Sequence, residues 1–273
     1  THHQQLKEHA YRGRDDSRAL RQRQRHRARD RTDGWSVHPN RLDKLVRHLH
    51  ETDHLPCIFF TFGRRRTEDL AWEASRLSLV TPEESRALQR MFEELRATFE
   101  LRTDRTAEAL ARLIDKGVAY HHAGMLPTVK EVIERCFSSR LVKLIVTTET
   151  FALGVNMPAR SVVLDALSKR SDTGFQLLRR REFLQMSGRA GRRGMDEAGF
   201  VYLRVNPTLI AYPDLLRLLH GTPEPVRSHF NTAYATLLNL YRRHRRALLG
   251  LFPKTFYYFQ TTGPRRQAGL ELM

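Results

Sequence analysis

Five short apolar runs, most of them followed by a turn and an amphipathic helix, constrain this chain more than any other feature. They are Pro56 to Phe62, Val118-Ala119-Tyr120, Leu141 to Val146, Ser161 to Leu167, and Gly199 to Val205. A continuous apolar run, rather than an alternating one, suits a strand covered on both faces. Strands separated by helices predict an α/β fold: a doubly wound, mostly parallel sheet with helices on both faces.

The helices between the runs carry local start and stop signals. Asn40 can cap a helix that places Leu42, Leu45, Val46 and Leu49 on one side. Gly63-Arg64-Arg65-Arg66 reads as a turn before a helix over Thr67 to Leu77. Thr81-Pro82-Glu83-Glu84 combines a hydroxyl cap, a first-turn proline and a glutamate three residues on. A further helix runs from Asp104 to Lys116 and stops at Gly117, and Pro127 opens another. After Pro207 the character becomes helical, over Leu209 to Leu219 and Ser228 to Arg243. The organisation read from these signals is a basic linker over 1–34, an α/β domain over 35–206 and a helical extension over 207–273.

Of the 273 residues, 47 are Lys or Arg against 30 Asp or Glu, a formal charge of +17. That excess favours a polyanionic partner, nucleic acid before membrane. Cys57 and Cys136 are far apart and each lies in an apolar segment, which suggests buried thiols and neither a disulfide scaffold nor a metal site. His121 and His122 are adjacent, but neighbouring strand residues point to opposite faces, so they are not read as a metal pair. No run has membrane-spanning length, and a cytoplasmic location is the default expectation.

Chemistry concentrates in Gln185-Met186-Ser187-Gly188-Arg189-Ala190-Gly191-Arg192-Arg193-Gly194. If the preceding helix runs on, Gln185, Arg189 and Arg192 share one face at i, i+4 and i+7. Gly188 and Gly191 leave that face without bulk. Forked, permanently charged guanidinium donors match phosphate oxygens. A solvated basic turn, or a Gly-Arg tract binding nucleic acid loosely, is the plainer alternative for these ten residues alone.

The stretch resembles motif VI of superfamily 2 helicases, Q-x-x-G-R-x-G-R. Its longer form, ending at Asp196, is similar to the DExH-box RNA helicases of the superkiller and exosome-associated branch. Thr147 to Arg160 resembles motif V, His121-His122-Ala123-Gly124-Met125-Leu126-Pro127 resembles the H-H-x-G-x-L-P loop, and the strand and turn at Thr61 resemble motif IV. The resemblance covers about residues 35–260 and implies the second RecA-like domain of an ATP-dependent RNA helicase, followed by the start of a winged-helix domain.

It also implies residue roles. Arg192 would be an arginine finger on the γ-phosphate, supported by Arg189 and Gln185. Gly154 and Asn156 would approach the nucleotide; many related helicases carry aspartate where Asn156 stands. Thr61, Arg64, His122, Gly124, Thr148 and Glu149 would line the path of single-stranded RNA. No G-x-x-x-x-G-K-[ST] and no D-E-x-H occurs in the chain. ATP and Mg2+ would therefore be held mainly by a first RecA-like domain, and these residues alone would hydrolyse nothing. The implied partners are that first domain, single-stranded RNA and an RNA-decay complex.

Two alternatives stand beside this reading. A DNA helicase of the related repair branch usually shows G-R-A-G-R-P and Thr-Pro-Thr where this chain has Arg193 and Thr148-Glu149-Thr150. A non-catalytic nucleic-acid-binding module is the other.

Overall fold

The computed structural model describes residues 41–154, 157–171, 174–207, 210–228 and 233–262. The basic stretch over 1–34, the cap expected at Asn40, and Asn156 lie outside the described residues. The chain forms two compact units, divided between Thr222 and Pro223.

The first unit is built on a five-stranded, wholly parallel sheet. Its strands are β1 (Cys57–Phe60), β2 (Val118–His121), β3 (Leu144–Thr147), β4 (Ser161–Leu164) and β7 (Phe200–Leu203), in the order β2-β3-β1-β4-β7. Every residue of β1 to β4 is buried, as continuous apolar runs require when both faces are covered. β7 closes one edge and is only partly buried. This is the doubly wound α/β architecture that the alternation of runs and helices predicts.

The order reverses between β1 and β4. The connection from β1 leads across β3 to β2, whereas that from β4 leads away to β7. Their C-terminal ends therefore flank the kind of crevice where open α/β sheets place ligands.

The surrounding helices follow their local signals, with corrections. Helix α1 (Leu42–Glu51) buries Leu42, Val46 and Leu49. Helix α2 spans Arg64–Ala74, so Arg64 to Arg66 form its first turn and not a separate turn. Gly63, at φ 131°, reverses the chain in one residue and lets the helix begin at once. In α3 (Pro82–Thr98) the Thr81 hydroxyl accepts from the Glu84 amide at 3.2 Å, and the Glu84 carboxylate accepts from the Thr81 amide at 3.0 Å. Glu84 also pairs with Lys143 at 2.7 Å, tying this cap to the approach to β3. Asp104 caps α4 (Arg105–Ile114), and Gly117 follows its end at φ 72°. Helix α5 (Pro127–Ser138) turns Val129, Val132, Ile133, Cys136 and Phe137 inward.

Three further described helices belong to the first unit. The short α6 (Phe151–Gly154) follows β3, and α7 (Arg180–Ser187) precedes β7. Between β4 and α7 lies an antiparallel hairpin, β5 (Ser168–Ser171) and β6 (Gly174–Leu177), which the sequence reading omitted. Helix α8 (Tyr212–His220) begins later than the expected Leu209, with Pro213 in its first turn. It buries Leu218, whose carbonyl accepts from Arg180 at 2.6 Å.

In the second unit α9 spans Tyr234–His244, not Ser228 to Arg243. The Ser228 amide instead donates to Gln260 Oε1 at 2.8 Å. No described side chain of α9 is buried, and Tyr234 is 88% exposed. Among the described residues no helix is long and apolar enough to cross a membrane.

Candidate nucleotide and nucleic-acid face

Helix α7 is anchored through Phe183 and Met186, which are buried, and through Glu182, whose carboxylate accepts the Arg179 amide at 3.1 Å. It ends at Ser187, with Gly188 as its C-cap. Turn-like bonds carry the chain on for three residues: Gly188 to the Leu184 carbonyl, Arg189 to Met186 and Ala190 to Ser187. Then Gly191, at φ 90°, breaks the path. The single face expected for Gln185, Arg189 and Arg192 is therefore corrected. Gln185 and Arg189 stay about one turn apart, but Arg192 belongs to a separate turn in which its carbonyl accepts from Asp196.

The glycines serve the chain's own backbone. The Ala159 amide donates to the Arg189 carbonyl at 2.9 Å, and the Gly191 amide donates to the Ala159 carbonyl at 2.7 Å. A Cβ on Gly199 would lie 2.4 Å from the carbonyl carbon of Ala190, and one on Gly191 would lie 3.3 Å from Gly199. Bare glycine is thus needed where the loop crosses the approach to β7.

This stitching sets the Arg189 side chain against the segment that follows β3. The Arg189 guanidinium donates through Nη2 to the Ala152 carbonyl in α6. Its Nε and Nη1 have no partner among the described residues. Arg192 is held differently. Its Nε and Nη2 donate to the two oxygens of Asp196 at 2.7 and 2.6 Å, and its amide donates to the same carboxylate at 2.9 Å. The side chains are 15% and 4% exposed. This hydrogen-bonded pairing holds the Asp196 carboxyl below the usual range and raises Arg192, although burial opposes both shifts. Arg192 is therefore pinned along one edge, and its Nη1 has no partner among the described residues. Nearby, Arg160 pairs with Asp53 at 2.6 Å.

The ends of β2, β3 and β1 form the second half of the face, because His121, Thr147 and Phe60 are paired across them. The Thr147 hydroxyl is spent on the His121 carbonyl at 2.8 Å. Thr148 and Thr150 share a hydroxyl contact at 3.0 Å, and Glu149 pairs with Lys169 at 2.6 Å. A Cβ on Gly124 would lie 3.0 Å from Arg64 Cδ, so the arginine lies directly against that loop. Arg64 and Gly124 are thus brought together, and Thr148 and Glu149 follow the end of β3.

Thr61 and His122 are in the right elements but turned inward. Thr61 is 1% exposed and its hydroxyl donates to Asp165 at 3.2 Å, beside contacts from Arg66 and Arg204 to the same carboxylate. This hydroxyl is thus committed to Asp165 within the fold. Buried His122 accepts the Gly124 amide on Nδ1 at 3.1 Å, so Nε2 carries the proton toward Glu68 at 3.0 Å. Its ring holds the loop rather than presenting itself. His121 faces the other way and meets Glu134 at 2.9 Å, as strand alternation requires. Among the described residues no three ligand-type side chains converge on a metal position.

Residues 83–194 match the family described as helicase conserved C-terminal domain. The chain is 39% identical over 205 residues to Superkiller complex protein 2 of Homo sapiens, covering 72% of this chain and 16% of that protein. It is 35% identical over 233 residues to Exosome RNA helicase MTR4 of Mus musculus, covering 83% and 22%. With Antiviral helicase SKI2 of Saccharomyces cerevisiae the figures are 34% over 202 residues, 73% and 16%.

The chain belongs to the superfamily 2 DExH-box RNA helicases of the superkiller and MTR4 branch. It spans about a fifth or less of the length of these relatives. Residues 83–194 are its helicase conserved C-terminal domain.

Within this helicase domain the residues most easily missed were those that hold the motif residues. Asp196 lies four residues from Arg192, a spacing that suits an ion pair within one turn. Ser171-Asp172-Thr173-Gly174 is a turn signal between two runs, and it marks the hairpin that carries Lys169. Asp165 and Glu68 have no comparable local signature, because their partners come from distant elements.

Proposed function

We propose that this domain is the second half of an ATP-driven motor that moves along single-stranded RNA. The reading rests on the backbone ladder between Ala159 and Ala190, which sets the arginine loop beside the segment leading from Thr148. A nucleotide contact and a nucleic-acid contact would then act on one continuous stretch of chain.

ATP and Mg2+ would be held mainly by a first RecA-like domain. When bound, the metal neutralises charge on the transferring phosphoryl group. The donor set here fits the other side of a triphosphate. Arg189 retains Nε and Nη1 without described partners, and Arg192 retains Nη1. In this reading Arg192 is the finger, aimed by Asp196, while Arg189 and exposed Gln185 support it across the cleft. An aimed guanidinium spends less conformational freedom when the phosphate arrives. By the family resemblance, Gly154 and Asn156 would also approach the nucleotide.

On the polymer side, Arg64, the loop at Gly124, and Thr148 would hold phosphates and sugars. Such contacts carry little sequence information and weaken with salt. Thr61 and His122 act from behind, fixing the strand end and the loop. An RNA-decay complex would supply the partners of the intact protein, and residues 1–273 alone would hydrolyse no ATP.

The test is turnover by the intact protein with matched single strands of RNA and DNA. RNA is expected to stimulate ATP hydrolysis strongly and DNA weakly. Equal stimulation by both refutes the choice of polymer, and no ATP turnover refutes the motor.

A further inference from the structure

Lys169 lies on the hairpin, in none of the motif stretches, yet it touches two of the elements that matter. Its Nζ meets Glu149 Oε2 at 2.6 Å and Glu182 Oε1 at 3.1 Å. Glu149 sits in the turn between β3 and α6, at the polymer side of the face. Glu182 sits in the first turn of α7, and its other oxygen accepts the Arg179 amide. Helix α7 carries Gln185 one turn later and leads straight into Arg189. Lys169 is 24% exposed and Glu182 25%. Burial works to lower the Lys169 pKa, and the two carboxylates more than offset it, so the ammonium stays charged across the working range.

Glu149 poses a problem by itself. A carboxylate at the mouth of a phosphate-binding face repels the ligand, at a distance where little screening intervenes. Lys169 neutralises it, and the same ammonium is shared with the base of α7. A phosphate that approaches Thr148 and Glu149 pulls on the shared ammonium, and any displacement reaches Glu182 through one hydrogen-bonded contact.

We propose that Lys169 is a positioning residue that couples occupancy of the RNA face to the setting of α7, and so to the arginines at the nucleotide. This rests on the motor reading above. Lys169 does not touch substrate; it works through Glu149 and Glu182.

Three variants of the intact protein test it: Lys169→Met, Lys169→Arg and Glu182→Gln. ATP turnover is measured without RNA and across a range of single-stranded RNA concentrations, beside the melting temperature. Lys169→Met is expected to lower the ratio of RNA-stimulated to basal turnover about tenfold, within the usual range of coupling between sites, and to raise the RNA concentration giving half-stimulation. Lys169→Arg keeps both contacts and is expected to retain most of the ratio. Glu182→Gln is expected to lower the ratio while the half-stimulating RNA concentration holds, because Glu149 keeps its counter-charge. A merely structural role would lower basal and stimulated turnover together and leave the ratio alone. An unchanged ratio in Lys169→Met, with the wild-type protein stimulated normally, overturns the coupling. Absence of stimulation in the wild-type protein overturns the motor reading, and the coupling with it.

Discussion

Arg192 and Asp196 are locked along one edge, Nε and Nη2 against the two carboxylate oxygens at 2.7 and 2.6 Å. The geometry consumes the side edge of the guanidinium and spares its end. A carboxylate that merely neutralised the arginine would be an obstacle in a nucleotide cleft. One that fixes its direction is an aiming device.

Asp196→Asn separates those two roles. If Asp196 aims Arg192, the intact variant should lose about 100-fold in ATP turnover, the scale of a misplaced reacting group. If the carboxylate only occupies the finger, turnover should rise. The carboxyl is held below its ordinary range, so its contribution to stability is present above the unfolded aspartate value and disappears as pH falls through the lower folded value. This pair should add no pH dependence to melting between about pH 5 and 8.

Gly199→Ala should be costly for a reason unrelated to ligands. The new Cβ would meet the Ala190 backbone at 2.4 Å, where no side chain can move aside. A loss of about 2–3 kcal/mol is expected, which for this size of domain lowers the melting temperature by about 5–10 °C. Gly194→Ala is the comparison. Nothing lies within 4 Å of its added Cβ, and only the positive φ of 76° penalises it, by about 1 kcal/mol.

Thr61 and Arg64 should part company in RNA binding. Thr61→Val removes a buried hydroxyl already committed to Asp165, so it should lower the melting temperature and leave RNA affinity within about twofold. Arg64→Ala removes an exposed cation beside Gly124. It should weaken binding and reduce the slope of log affinity against log salt by about one. Filter binding at several salt concentrations measures both.

His121 makes the fold sensitive to mild acid. Burial against Phe151 lowers its pKa, only partly offset by Glu134. The unfolded chain then binds the proton more readily than the folded one. Stability is complete above the unfolded histidine value, about 6.5, and falls as pH drops from there toward the lower folded value. His54 is depressed in the same sense, by burial first and Arg160 second. Melting temperatures at pH 7.5 and 5.5 should show a clear fall. An NMR titration of the His121 ring should place its midpoint below that of an exposed histidine.

The strands were legible because burial on both faces leaves a mark in sequence: Cys57-Ile58-Phe59-Phe60 and Leu144-Ile145-Val146 carry almost no polar residue to contradict it. The Thr81-Glu84 and Asp104 caps were legible for a similar reason, since each is complete within a few residues. The arginine loop was half legible. Its residue types suggested a phosphate, and its path depends on Gly191 packing against Gly199, eight residues on in sequence and set by the crossing at Ala159. Long-range pairing left no local mark of its own. Asp165 beneath Thr61, Glu68 beneath His122 and Lys169 between Glu149 and Glu182 depend on elements that only the folded sheet brings together.

The most direct measurement is single-turnover ATP hydrolysis by the intact protein carrying Arg192→Ala, with RNA affinity measured in parallel. Loss of about 10³-fold or more in the hydrolysis step, with RNA binding nearly intact, is the predicted result. Near-normal hydrolysis would show that the Arg192–Asp196 pair belongs to the fold alone, and the assignment of this face to the nucleotide would be wrong.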